Sequence, residues 1–239
     1  MGSKARYAKF ILPIIHKIIK VYNIQNYCEP FVGGCNMIDK VECKNKVGSD
    51  NNKYLIALLN NVHKIEELPL DVSFEHYSEV RESYKTKNGN FEDWYIGAIG
   101  FLASCNGRFF DGGYAKPTDT RNFYDEAKRN LEKQVDSLCG IKFFHKDYSL
   151  IKKDLKGWLI YCDPPYKNTK KYDTSRDFDY EKFYSWCREM SKNNIVLISE
   201  QEMPSDFNII WEQEVTRAIG CQDSIKAKER LFTYNKLQL

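Results

Sequence analysis

Asp163-Pro164-Pro165-Tyr166 is the stretch of this chain whose residue types and spacing could do chemistry. A carboxylate and an aromatic ring flank two prolines, and each proline ring locks its own φ. Neither proline has an N–H to donate, so nearby carbonyls are left to accept a hydrogen bond from a substrate. Such a set suits a planar nitrogen heterocycle that carries an exocyclic amine. The Tyr166 ring can stack on such a base, a contact worth about 1–3 kcal/mol. Asp163 and the Pro164 carbonyl can accept the two amine hydrogens and draw lone-pair density onto the nitrogen. The competing reading is a strand ending in a Pro-Pro turn, with a solvated acid and a surface tyrosine, because short motifs also arise by chance.

The apolar run Trp158-Leu159-Ile160-Tyr161-Cys162 leads into the motif and reads as a buried strand. Open α/β sheets place their ligands at the carboxyl ends of such strands. The elements that would complete that sheet begin near the start of the chain. Ile11, Ile14, Ile15, Ile18, Ile19 and Tyr22 recur at helical spacing, with Pro13 expected in the first turn of that helix. A short strand follows at 27–32, closed by Gly33-Gly34. A second strand at 46–49 runs into Asp50, and the run 54–59 reads as helix interior. Strand, glycine turn, helix, strand and terminal acid open a Rossmann-like nucleotide site, where the acid takes ribose hydroxyls. The turn Glu29-Pro30-Phe31-Val32-Gly33-Gly34 lacks the G-x-G-x-x-G fingerprint, so a phosphate-free nucleoside suits it better than a dinucleotide. Taken singly, the glycines fit any tight turn and Asp50 any helix-flanking acid.

Between 61 and 140 the pattern changes to that of a helical insertion. Val72-Ser73-Phe74 reads as a brief extended piece, and Trp94, Ile99 and Leu102 suggest a helix across 91–104. Phe123, Ala127, Leu131, Val135 and Leu138 mark one amphipathic helix closed by Gly140. The segment 105–114 is glycine-rich and carries Asn106, Arg108 and three aromatics. Asn and Arg are suited to bidentate reading of base edges; a plain turn with core aromatics is the alternative. Strands resume at 141–145, followed by Asp147-Tyr148, an acid and a ring placed to bind a second adenine. After the central motif, Lys167, Lys170, Lys171 and Arg176 could lie on phosphates or belong to a lid. A helix across 179–192, a buried strand at 195–199, and an antiparallel pair at 207–211 and 230–234 complete the chain.

The composition sets outer limits. At 239 residues, with 42% hydrophobic and 29% charged, the chain has room for one large α/β domain, or one plus a small insertion. A net charge of +3 neither demands nor excludes nucleic acid. The eight cysteines show no zinc spacing and the opening residues no signal-peptide core, so reduced thiols in a cytoplasmic protein are expected. No run approaches the roughly 20 apolar residues that span a bilayer. None of the histidines has a neighbour that suggests catalysis, and no metal is expected.

In their order along nearly the whole chain, these parts resemble the Dam-type (D12 class, alpha group) DNA N6-adenine methyltransferases of bacteria and phages. The likeness runs through Gly2-Ser3-Lys4, the turn 29–34, Asp50, Asn106-Gly107-Arg108, Asp147-Tyr148 and Asp163-Pro164-Pro165-Tyr166. The chain shows no aromatic residue ahead of Lys4, where that family usually has one, and Cys35 stands where a small residue is common. The resemblance implies a Rossmann-like S-adenosylmethionine-dependent methyltransferase sheet of seven strands, mostly parallel, with a reversed terminal strand. Residues 1–60 and 141–239 would form the catalytic part and 61–140 a helical target-recognition insertion. By the same resemblance Lys4, Glu29, Pro30, Phe31, Gly33, Gly34, Asp50, Asp147, Tyr148 and Asp163 would hold S-adenosylmethionine. Asp163, Pro164, Pro165 and Tyr166 would carry methyl transfer to a flipped adenine in double-stranded DNA. Asn106, Arg108 and Lys167 would touch that DNA, S-adenosylhomocysteine would be released, and a cognate restriction endonuclease is a conceivable partner. Methylation of cytosine N4, of RNA or of a protein glutamine stays open within the class, as does a DNA-binding module without catalysis. The leading Asp163, rather than Ser or Asn, favours adenine.

Overall fold

The structure, a computed structural model, describes residues 4–167, 178–219 and 223–238. Gly2 and Ser3 of the opening stretch, and Lys170, Lys171 and Arg176, lie outside the described residues. The first isoleucine series forms α1 (Ala5–Val21), which buries Ala8, Ile11, Ile15 and Ile18. Pro13 lies in the interior of this helix and not in its first turn, because the chain is helical from Ala5 onward. An interior proline costs roughly 3 kcal/mol, which burial of the isoleucine face offsets.

Next come the parallel neighbours β1 (Asn26–Glu29) and β2 (Asn45–Asp50), with Glu29 opposite Gly48. Asn52 starts α2 (Lys53–Asn60) by accepting the N–H groups of Tyr54 and Leu55.

Residues 61–140 add no strand to the sheet. They hold α3 (Phe74–Thr86), α4 (Asp93–Leu102), α5 (Phe123–Glu132) and α6 (Val135–Leu138). The extended piece expected at 72–74 is the entry to α3: the Ser73 hydroxyl accepts the His76 N–H at 3.1 Å and caps the helix. The single helix expected across 123–138 is two helices, broken at Lys133 and Gln134. Gly140, at φ +81, then makes the left-handed turn toward the sheet. Helix α4 lies so close to α2 that a Cβ on Gly97 would stand 2.2 Å from the Tyr54 carbonyl oxygen. Ile99 and Leu131 share one continuous core with Ile11, Leu55 and Leu159.

The remaining elements are β3 (Lys142–His145), β4 (Trp158–Cys162), α7 (Tyr180–Met190), β5 (Ile195–Glu200), β6 (Asn208–Ile219) and β7 (Asp223–Thr233). The seven-stranded sheet has the order β3-β2-β1-β4-β5-β7-β6. Strands β1 to β5 are mutually parallel, and β7 runs antiparallel to both β5 and β6. This is the mixed sheet with a reversed last strand that the resemblance implied. Side chains at the carboxyl ends of β1, β2, β4 and β5 therefore share one rim. Because β7 is reversed, its middle reaches the same rim, with Arg230 opposite Glu200.

Candidate active site

Asp163 follows β4 directly, where the prolines stop the strand. Pro164 is buried and Pro165 half-buried. The Pro165 carbonyl accepts the Tyr180 hydroxyl at 3.0 Å, which ties the turn to α7. One residue past the motif, the Lys167 N–H donates to Glu200 Oε1 at 2.9 Å. The loop is thus held at both prolines' exit and at its far end, while the Lys167 ammonium stays exposed, 5.9 Å from the Tyr180 ring.

Lys4, far away in sequence, is buried beside the motif. Its Nζ lies 3.2 Å from Asp163 Oδ1 and 4.5 Å from the centre of the Tyr166 ring. It also donates to the Tyr166 hydroxyl oxygen and to Glu229 of β7. The Tyr166 hydroxyl in turn donates to the same Glu229 carboxylate. Burial pulls the Lys4 ammonium toward deprotonation, but Asp163 and Glu229 outweigh it and hold its pKa above the ordinary value. Burial pushes the Asp163 carboxyl up to about 6; Lys4 opposes the rise and Glu229 adds to it. At neutral pH Asp163 is therefore mostly ionised and able to accept.

Glu29 ends β1 beneath this cluster. It is buried, accepts the Tyr27 hydroxyl at 2.6 Å, and is pushed up to about 8 by burial, with Asp163 adding to the rise. Glu200 is raised as well, chiefly by burial. The rim therefore gathers several carboxyl groups, of which Glu29 favours its neutral form.

A second cluster of the expected site residues lies on β1 and β2. Asp50 ends β2 and accepts the Gly33 N–H at 3.2 Å and the Asn52 N–H at 3.0 Å, so the acid and the glycine turn are locked together. Gly33 has φ +45, and a Cβ built on it meets nothing within 4 Å, leaving open space above the turn. Cys35, at φ +58, holds a left-handed conformation that a glycine would adopt without strain. Pro30 is buried, Gly34 is exposed, and the half-buried Phe31 ring lies 5.4 Å from that of Tyr148. Tyr148 itself is packed under Phe31, Phe183 and Trp186, so it forms a floor and not an open stacking face. Asp147 accepts the Ser149 N–H at 2.9 Å and its hydroxyl at 2.6 Å.

In the 105–114 segment the aromatics are packing groups. Phe109 stacks on Tyr54 at 5.4 Å, Phe110 stacks on Tyr84 at 5.4 Å, and the Tyr114 hydroxyl donates to the Val72 carbonyl at 2.6 Å. They anchor a turn on which Asn106 is exposed, at φ +56, and Arg108 half-buried. Sequence reading missed Glu229, Glu200 and Tyr180. For Glu229 a signal existed: a lone acid between Lys228 and Arg230 at the inward position of a strand.

The sheet is a mixed, mostly parallel one of seven strands, with carboxyl groups gathered at the ends of its parallel strands. Residues 1–213 match the family described as D12 class N6 adenine-specific DNA methyltransferase, and the chain belongs to that family. Its reaction is the methylation of adenine N6 in DNA. Among curated proteins it is similar to Type II methyltransferase M.MjaIII of Methanocaldococcus jannaschii, 27% identical, over 86% of this chain and 83% of the relative. Among solved structures it overlaps a candidate RNA methyltransferase from Pyrococcus horikoshii at 9% identity and TM-score 0.41, covering 92% of this chain and 79% of that one. A candidate methyltransferase from Escherichia coli gives 9% identity and TM-score 0.37, with coverage of 97% and 84%.

Proposed function

We propose that the protein binds S-adenosylmethionine on the rim formed by the turn 29–34, Asp50 and Asp147, and methylates N6 of an adenine flipped out of duplex DNA. The observation that carries this reading is the convergence of Asp163, Lys4, Tyr166 and Glu229 on one point beside the β4 end. Bound there, S-adenosylmethionine supplies an electrophilic methyl carbon on a cationic sulfonium and leaves as S-adenosylhomocysteine. The open space over Gly33 fits a nucleoside lying against backbone. Asp50 takes the ribose hydroxyls while it holds the turn.

The target amine is buried in the duplex, so the adenine must leave the stack at a cost of a few kcal/mol. Tyr166 stacks on the flipped base and recovers part of that cost. Asp163 and the Pro164 carbonyl accept the N6 hydrogens and localise the lone pair on nitrogen. Asp163 is then the first acceptor for the proton that N6 sheds. Most of the acceleration is orientation, since the sulfonium needs little activation. Asn106 and Arg108 read base edges from the 61–140 segment, which serves as the target-recognition part, and Lys167 contacts backbone phosphate. A cognate restriction endonuclease is a proposed partner, by likeness to the Type II relative. The cytoplasm, where DNA and the methyl donor meet, is the proposed location.

Incubation with methyl-labelled S-adenosylmethionine and either duplex DNA or RNA, followed by nucleoside analysis, tests this reading. N6-methyladenine in the DNA is expected. Label in N4-methylcytosine, or in RNA alone, would overturn it.

A further inference from the structure

Strand β7 alternates its charges in an unusual way. Lys228 and Arg230 point to one face and both reach Glu212 of β6, at 2.7 and 2.5 Å. Glu229, between them, points to the other face and is fully buried. An acid in that position is costly, and an apolar residue there would serve stability as well or better. What the chain gains is a carboxylate that receives both the Tyr166 hydroxyl and the Lys4 ammonium.

We propose that Glu229 is a positioning residue for methyl transfer: one side chain of β7 sets the Tyr166 ring that holds the base and the Lys4 ammonium that faces Asp163. The proposal rests on the adenine methylation reading and adds a residue to it. The phenol is at the far end of the Tyr166 ring, so fixing its oxygen fixes the direction in which the ring projects, and the Lys4 ammonium lies 4.5 Å from the ring centre. The ammonium is shared between Asp163 and Glu229, so its place beside Asp163 depends on Glu229. The groups facing Asp163 are Lys4 ahead of α1, Glu29 of β1, Tyr161 and Cys162 of β4, Tyr166 of the loop, Glu200 of β5 and Glu229 of β7. Lys4 and Glu229 act on Asp163 with opposite sign.

Two variants separate these effects. Glu229→Gln keeps an oxygen that accepts from the Tyr166 phenol but removes the charge. Asp163 then ionises more easily, so the acidic limb of kcat against pH moves to lower pH. Lys4→Met moves that limb to higher pH. Glu229→Ala removes the hold on the ring: kcat falls about 10²-fold, in the range of a small misplacement of reacting groups, while KM for the methyl donor stays within about twofold. Placed in a Tyr166→Phe background, which has no phenol to hold, Glu229→Ala costs far less, and that non-additivity marks the pair as acting together.

The pH profile of kcat for wild type, Glu229→Gln and Lys4→Met is the test, with a carbon-13 titration of the Asp163 carboxyl in each protein beside it. Opposite displacements in the two variants are expected. An unmoved limb and an unmoved titration in Glu229→Gln overturn the proposal, as does full kcat in a folded Glu229→Ala protein. The carboxyl titration needs no turnover. If the wild type methylates no DNA, the adenine reading fails, and the titration still decides whether Glu229 governs Asp163.

Discussion

Glu29 shows how a single side chain in this site trades stability for chemistry. Its carboxyl is pushed from an ordinary 4.5 up to about 8 by burial, so the neutral form is the one the fold prefers. A carboxyl with a raised folded pKa contributes stability that is complete below the unfolded value. That contribution shrinks as pH rises and is gone above the folded value. The wild type should therefore lose stability relative to Glu29→Gln between pH 4.5 and about pH 8, by several kcal/mol at most at about 1.4 per pKa unit. Denaturant midpoints across that range check it; parallel curves for the two proteins would remove Glu29 as the cause. Asp163, raised to about 6, shares the sign over a narrower window. At this level the sequence disclosed what lies close along the chain: Asp163 with its prolines, and the acid that ends the second strand. It marked Glu229 only as a lone acid between two cations; the pairing with Tyr166, 63 positions away, is set by the reversal of β7, which no local pattern encodes.

Among helices and strands, legibility followed the strength of the apolar period. Helix α1 and strands β4 and β5 carry dense apolar runs and were readable. Helix α3 was not, since Tyr77, Val80 and Ser83 are its buried residues and most of the rest is polar. Its Ser73 cap was the better signal. The packing of α4 on α2 depends on one missing side chain, Gly97, whose added Cβ would strike the Tyr54 carbonyl. Gly97→Val should lower stability by about 1–3 kcal/mol through forced separation of the helices. A shifted midpoint in urea would show this, whereas an unchanged midpoint would mean that the contact yields freely.

Over the whole chain, the change of pattern between 61 and 140 was visible, and these residues add no strand to the sheet, but the core they share with it was not. Ile99 and Leu131 from the insertion pack in the same cluster as Leu159 under the catalytic motif. The insertion is proposed as a unit of recognition, and its helices are also part of what supports the sheet. Among the described residues no helix is long and apolar enough to cross a membrane. Because Asn106 is exposed and the aromatics beside it do the packing, changing Asn106 and Arg108 together to alanine should alter DNA affinity or sequence preference. Fluorescence anisotropy on a panel of duplexes checks this; unchanged affinity and preference would move recognition elsewhere. The proposed mechanism turns on Asp163 as the acceptor for the target amine. The most direct test is methyl transfer to duplex DNA by Asp163→Ala, with S-adenosylmethionine binding followed by calorimetry in the same preparation. Binding retained and transfer lost by about 10² or more, the scale of misoriented reactants, is the expected result. Transfer at the wild-type rate would contradict the assignment.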